Sequence, residues 1–205
     1  MTLRVDAVGG ADLAPFIADL ARLRIAVFRE FPYLYDGTAA YEEAYLRTYL
    51  DAPDAVVLLA RDGGRVVGAS SALPLTQETD EIRAPFQQSE FDEREVLYLG
   101  ESVLLPEYRG RGLGHAFFDG REAHARTLGL TVTAFCAVQR PGDHPLRPQP
   151  YRPLNAFWAA RGYVERPDLH VALSWPDLEE ARETPKPMRF WVRRDLTRPP
   201  VERFA

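Results

Sequence analysis

Cysteine is nearly absent from this 205-residue chain, which carries only Cys136. A lone cysteine excludes an internal disulfide and a thiolate cluster for zinc. Long hydrophobic runs are missing as well. No stretch approaches the ~20 apolar residues that cross a bilayer. The opening Met1-Thr2-Leu3-Arg4-Val5-Asp6 lacks the apolar segment of a secretion signal. Basic excess is also lacking, since the net charge is −5, so nothing draws the chain uniformly to nucleic acid. No His, Cys or carboxylate spacing marks a metal site, and neither a repeat nor a low-complexity linker divides the chain. These absences lead us to expect one soluble domain over residues 1–205, placed in the cytoplasm, with no metal, membrane or nucleic-acid partner.

What the chain does hold is a hydrophobic share of 46%, enough for a sizeable core. Residues 2–8 read as a strand. Residues 11–30 carry apolar side chains mostly at helical spacing, and a second helix is expected near 38–50, with Tyr41, Tyr45 and Tyr49 on one stripe. Two β-rich runs, 55–60 and 66–69, flank Asp62-Gly63-Gly64 and predict a hairpin. Residues 76–95 are polar and acidic with room for a short helix. A strand at 96–105 precedes a helix at 113–128, which Gly129 is placed to cap. A strand at 130–138, a Pro-rich loop at 139–152, a short helix at 153–161 and strands at 163–174 and 187–196 complete the order. The front hairpin and the single central βαβ unit describe an α/β chain, with α+β character, around one mixed sheet rather than a doubly wound one.

The most informative stretch is Arg109-Gly110-Arg111-Gly112-Leu113-Gly114, at a strand-to-helix junction. Three glycines at alternate positions let backbone N–H groups converge on one point. The helix N-terminus and two arginines add positive charge there, which suits a diphosphate. The loop G-x-x-x-x-G-K-[ST] of the phosphate-binding ATPases is absent. The dinucleotide fingerprint G-x-G-x-x-G fails too, because Phe117 and His115 stand where its third glycine belongs. The pattern that matches is R-x-x-G-x-G, preceded by Pro106-Glu107-Tyr108.

This turn resembles the coenzyme A-binding motif of the GNAT acetyltransferase superfamily. A second segment, Asn155-Ala156-Phe157-Trp158-Ala159-Ala160-Arg161-Gly162-Tyr163, is similar to the Asn and aromatic residues that follow in that family. The resemblance implies a GNAT-like fold: a central, mostly antiparallel sheet with one splayed strand pair, flanked by helices. It implies acetyl-CoA as co-substrate, held by Arg109, Gly110, Arg111, Gly112, Leu113 and Gly114, by Val103 and Leu104 on the splayed strand, and by Asn155 and Trp158. It also implies an acyltransferase that moves acetyl to a primary amine of a small molecule or peptide, by direct attack through a tetrahedral intermediate. An acyl-CoA-binding protein without catalysis and a protein-modifying enzyme are the alternatives.

An alkyl amine must lose a proton before it attacks, so a base is needed. Glu101 is the candidate, being acidic in an otherwise apolar strand. Such a residue is costly unless it is used or paired, and a partner arginine is the other reading. The family's usual acid, a tyrosine four residues before the final Gly-aromatic pair, is here Trp158, which cannot donate as an acid; Tyr151 is the first substitute, ahead of Tyr163, Ser102 and bulk water. The resemblance further implies that the connection Phe28-Arg29-Glu30-Phe31-Pro32-Tyr33-Leu34-Tyr35-Asp36 walls the acceptor site. Phe28, Phe31, Tyr33 and Tyr35 are either a cage for a cationic amine or core. The acidic residues Glu78, Asp80, Glu81, Asp92, Glu93 and Glu95 are either a steering field or a solvated surface. His124 is read as structural and His144 as a neighbour of the site. The last strands are candidates to pair across a homodimer.

Overall fold

The structure is a computed structural model and describes residues 3–178 and 180–196. Seven strands, β1 (Leu3–Val8), β2 (Val56–Asp62), β3 (Arg65–Pro74), β4 (Val96–Leu104), β5 (Val132–Val138), β6 (Val164–Trp175) and β7 (Thr184–Arg194), form one sheet in the order β1-β2-β3-β4-β5-β7-β6. Only β4 and β5 run parallel. Helices α1 (Ile17–Phe28), α2 (Ala39–Asp51) and α3 (Asp80–Gln87) cover one face, where Leu20, Leu46, Phe86, Tyr98 and Phe190 share a core. Helices α4 (Leu113–Thr127) and α5 (Asn155–Ala160) cover the other, packing Phe117, Phe118 and Trp158 on Leu97, Phe135 and Trp191. Burying apolar faces on both sides of a single sheet makes this a three-layer domain.

Several expectations shift at their edges. The helix expected over 11–30 begins as a 3₁₀ segment, Gly10–Phe16, and becomes α-helical only at Ile17. Pro15 lies inside that segment and lacks the N–H an α-helical ladder would need. The last strand starts at Thr184 rather than 187, so Pro185 and Pro187 lie within it. They are tolerated because β5 ends opposite Met188, and beyond it Gln139 N–H donates to Pro187 O (2.8 Å), a bond that asks no N–H of the proline. Of the tyrosine stripe, Tyr49 is buried, while Tyr41 is 62% exposed.

The feature that builds the site is in β4. Its pairing with β5 consists of Val96, Leu97 and Tyr98 opposite Val132, Thr133 and Ala134, and beyond Tyr98 the two strands part. The same place holds a β-bulge: against β3, Tyr98 faces Leu73 but Glu101 faces Ser71, so β4 carries one extra residue. A bulge bends its strand and shifts its side-chain alternation. Gly100 is required there, since a Cβ would lie 2.7 Å from the Tyr49 hydroxyl and 2.8 Å from Ser71 Oγ. The carbonyls that a bulge removes from the ladder need other donors. Buried Arg121 of α4 donates from Nη1 to Glu101 O (3.2 Å) and Ser71 O (3.4 Å), and Ser70 Oγ donates to Glu101 O (2.8 Å). Burial lowers the Arg121 guanidinium pKa to about 10.

Candidate active site

Above the bulge, the ladder decides which backbone groups are available. Leu105 N–H donates to Val67 O at 3.0 Å. Main-chain groups alternate sides along an antiparallel strand, so Val103 turns its N–H and C=O to β3. Ser102 and Leu104 turn theirs to the side that β5 has left. Of the two strand residues singled out in the sequence, Leu104 therefore presents its backbone to the gap, whereas Val103 contributes a fully buried side chain to the core.

The glycine turn stands at the mouth of that gap. Gly110 (φ 73°) and Gly112 (φ 83°) occupy the left-handed region, where side-chain-bearing residues are strained. A Cβ on either would meet nothing within 4 Å, so the space before the turn is open. Gly112 is the N-cap of α4, and the first helical bond runs from Ala116 N–H to Gly112 O. The first-turn N–H groups thus have no acceptor inside the helix, and the helix end adds partial positive charge. Leu113 is buried beneath the turn. A diphosphate fits this arrangement, and an extended arm fits the β4–β5 gap beside it. Arg111 lies over the Tyr108 ring at 5.1 Å. Arg109 bridges the two halves of the site, donating to Leu104 O (3.1 Å) and Glu30 Oε2 (2.8 Å).

In the second segment, Asn155 is the exposed first residue of α5, whose N-cap is Leu154. Trp158 packs edge-on against Phe135 (5.0 Å) and Trp191 (5.2 Å), in the aromatic core beside the gap. Tyr163 is buried, with its hydroxyl bonded to Thr133 Oγ1 (2.9 Å) and Glu122 Oε1 (3.2 Å), on the α4 face of the sheet. Ser102 Oγ is bonded to Ser70 Oγ at 2.9 Å.

On the other face Glu101 is paired, as one of the two sequence readings had it. Arg24 of α1 forms ion pairs with both Glu101 and Glu42, whose side chains are 8% and 0% exposed. The Arg24 guanidinium also lies over the rings of Phe28 (4.9 Å) and Tyr45 (4.3 Å). The cation on Phe28 is therefore an internal one. Phe31 meets Tyr151 edge-on (4.7 Å) and His144 (5.7 Å). Tyr33 packs on Phe28 (4.7 Å), and the Trp175 indole donates to Tyr33 O (3.0 Å). Arg140 fastens this wall, donating to Pro32 O (2.8 Å), Tyr33 O (2.9 Å) and both oxygens of Asp177 (2.7 Å each). Burial raises the Tyr33 hydroxyl, with Cys136, Arg24 and Tyr151 as its charged or titrating neighbours. Tyr151 is raised by burial too, and Tyr35 by burial and by Glu42. Burial pushes the Cys136 thiol up to about 12, which leaves it a poor nucleophile.

Sequence reasoning missed Arg24, Arg140, Tyr98 and the bulge. The available signal for Arg24 was a charge among Leu20, Leu23 and Phe28 on the apolar stripe of α1. Among the surface acids, Asp80 and Glu93 pair with Arg83, and Asp92 with Arg94. Glu78 and Glu93 are the half-buried members of that group. His124 is structural, its Nε2 lying 2.8 Å from Asp54 O. No group among the described residues is arranged to hold a metal ion, and no described helix is long and apolar enough to cross a membrane.

A search of curated proteins by sequence finds no match. Among solved structures, an acetyltransferase of Thermus thermophilus superposes with a TM-score of 0.57 at 17% identity, over 95% of this chain and 97% of that one. A ribosomal-protein-alanine N-acetyltransferase of Brucella melitensis gives 0.59 at 13% identity, over 95% and 99%. The yncA protein of Salmonella typhimurium, solved with its cofactor acetyl-CoA, gives 0.54 at 14% identity, over 93% of each chain. At these identities the likeness shows the fold. Residues 20–148 match the acetyltransferase (GNAT) family, which spans α1 through the glycine turn to the loop after β5, and the chain belongs to that family.

Proposed function

We propose that the protein transfers an acetyl group from acetyl-CoA to a primary amine of a small molecule or peptide. The observation that carries this reading is the β4–β5 gap, with the Leu104 backbone turned into it, opening directly beside the uncapped N-terminus of α4. The turn 109–114 takes the diphosphate, the gap takes the pantetheine arm, and the thioester supplies the acyl carbon and the thiolate leaving group. Gap-facing main-chain groups on β4 polarise the carbonyl as the amine nitrogen adds to it, the role of an oxyanion hole. The tetrahedral intermediate then collapses with loss of the thiolate.

Trp158 is fixed in the aromatic core, so the proton for the thiolate comes from elsewhere. We assign it to Tyr151, which sits against Phe31 and whose burial keeps the hydroxyl protonated. The aromatic wall from Phe28 to Tyr35, pinned by Arg140, is closed by side chains from several elements. That favours a compact amine over a protein surface. A non-catalytic acyl-CoA-binding protein is the second reading, and the packing of Trp158 is what favours it.

Thiol release from acetyl-CoA, measured against a panel of primary amines, separates the two. The panel holds an alkylamine, a diamine, a basic amino-acid amide and a tripeptide with a free N-terminus. Release with some amines and not others supports catalysis. Saturable acetyl-CoA binding without release across the panel overturns it.

A further inference from the structure

The glycine turn and the acceptor wall are joined by an ion pair, Arg109 with Glu30. We infer that Glu30 holds a second, non-reacting cationic group of the acceptor, so that the substrate is a diamine or a basic amino-acid derivative rather than a simple alkylamine. This assignment rests on the acetyltransferase reading above.

Position is the first part. Glu30 follows α1 and opens the wall: its N–H donates to Val27 O (3.1 Å), and its C=O accepts from Tyr33 N–H (3.1 Å) and Leu34 N–H (3.0 Å). The main chain at Glu30 is thereby fixed. The next residue, Phe31, meets Tyr151 edge-on, so Glu30 stands beside the residue assigned as the acid. Its carboxylate reaches toward the gap, because Arg109 Nη1 donates to Glu30 Oε2 (2.8 Å) while Arg109 Nε donates to Leu104 O (3.1 Å).

One guanidinium thus separates the carboxylate from the main chain assigned to the thioester. That interval decides which nitrogen can sit there. The attacking nitrogen must be neutral and must reach the acyl carbon. A nitrogen on Glu30 is held as an ammonium, a guanidinium's width away. The anchor therefore suits a charge set further along the acceptor.

Availability is the second part. Glu42 and Glu101 are buried and share Arg24. Asp177 has both oxygens on Arg140, and Asp36 pairs with Arg29. Arg147 lies over the Tyr151 ring (5.1 Å), and buried Arg121 of α4 serves the carbonyls of Ser71 and Glu101. Glu30 is 40% exposed, and among the described residues Arg109 is the one side chain bonded to it, through Oε2, which leaves Oε1 open. A carboxylate accepts at both oxygens, so a ligand ammonium can join without displacing Arg109. Half-exposed pairs contribute little to stability, and Arg109 belongs to the turn that takes the diphosphate. With the donor in place the diphosphate draws on the same guanidinium. Glu30 is then less compensated, and a cation on the acceptor restores the balance.

The test compares wild type, Glu30→Gln and Glu30→Asp by kcat and KM for a diamine and for the alkylamine of the same chain length, at low and high salt, with acetyl-CoA affinity measured alongside. Wild type should favour the diamine by about tenfold in kcat/KM, the size of one charge-assisted contact, beyond the factor that two equivalent ends supply. Salt should erode that preference by screening. Glu30→Gln should lose it, mainly through a higher KM for the diamine, and Glu30→Asp should keep part of it. Acetyl-CoA affinity should not fall in either variant. A wild type that treats the two amines alike, or favours the alkylamine, overturns the assignment. So does a Glu30→Gln enzyme with the wild-type preference, and so does an equal fall with both amines, which marks a structural role for the pair. Wild type that releases no thiol with any amine of the panel overturns the acetyltransferase reading itself.

Discussion

The two sides of the β4–β5 gap are built from different materials. The donor side is main chain: the positive φ of Gly110 and Gly112, the first turn of α4, and the backbone of β4 beyond its bulge. The acceptor side is side chain: Arg24 between two buried carboxylates, the wall from Phe28 to Tyr35 clamped by Arg140, and the bonded hydroxyls of Tyr45 and Tyr49. Main-chain recognition tolerates almost any neighbouring side chain, so one family can keep its donor while changing its acceptor. Side-chain recognition depends on residues that are distant in sequence, and any of them can change.

The largest expected effect comes from breaking the charged centre of the acceptor side. Arg24→Met leaves Glu42 and Glu101 buried without their cation, and removing one partner of a buried pair costs about 3–5 kcal/mol. Denaturant unfolding should show a loss of that size. If the mutant unfolds at the wild-type midpoint, the triad does not hold α1, α2 and β4 together.

A smaller effect, confined to the donor side, sharpens the contrast. Leu104→Pro deletes an N–H that faces the gap and so removes no ladder bond, whereas Val103→Pro deletes one that faces β3. The first should fold and lose about a hundredfold to a thousandfold in turnover, as removal of one oxyanion donor does. The second should fail to fold. Circular dichroism with the thiol assay reads both, and equal behaviour of the two variants would contradict the assigned alternation.

This difference in material also sets what the sequence discloses. A turn that needs left-handed backbone needs glycine, so Gly110 and Gly112 announce the donor site by spacing alone. The strand–turn–helix at 96–128 and the hairpin at 55–69 are legible for the same local reasons. The acceptor side depends on residues 24, 42 and 101 meeting in space, and no local rule brings them together. Glu101 shows the consequence: an acidic residue in an apolar strand is a sound signal of use or pairing, but only the fold supplies Arg24. The bulge at Gly100 is silent in sequence because its glycine answers to Tyr49 and Ser71, each distant along the chain. Pro185 and Pro187 conceal the start of β7, since their tolerance depends on where β5 ends.

The central claim is that the donor is held by backbone on one side of the gap while the acceptor side is untouched by it. Amide resonances followed as acetyl-CoA is titrated into the uniformly labelled protein test it most directly. Ser102, Leu104, Gly112 and Gly114 should shift strongly, while Val103 and the α2 amides from Ala39 to Asp51 stay in place. Shifts centred on α2 and the 28–37 wall, with Leu104 and the glycine turn unmoved, would contradict it.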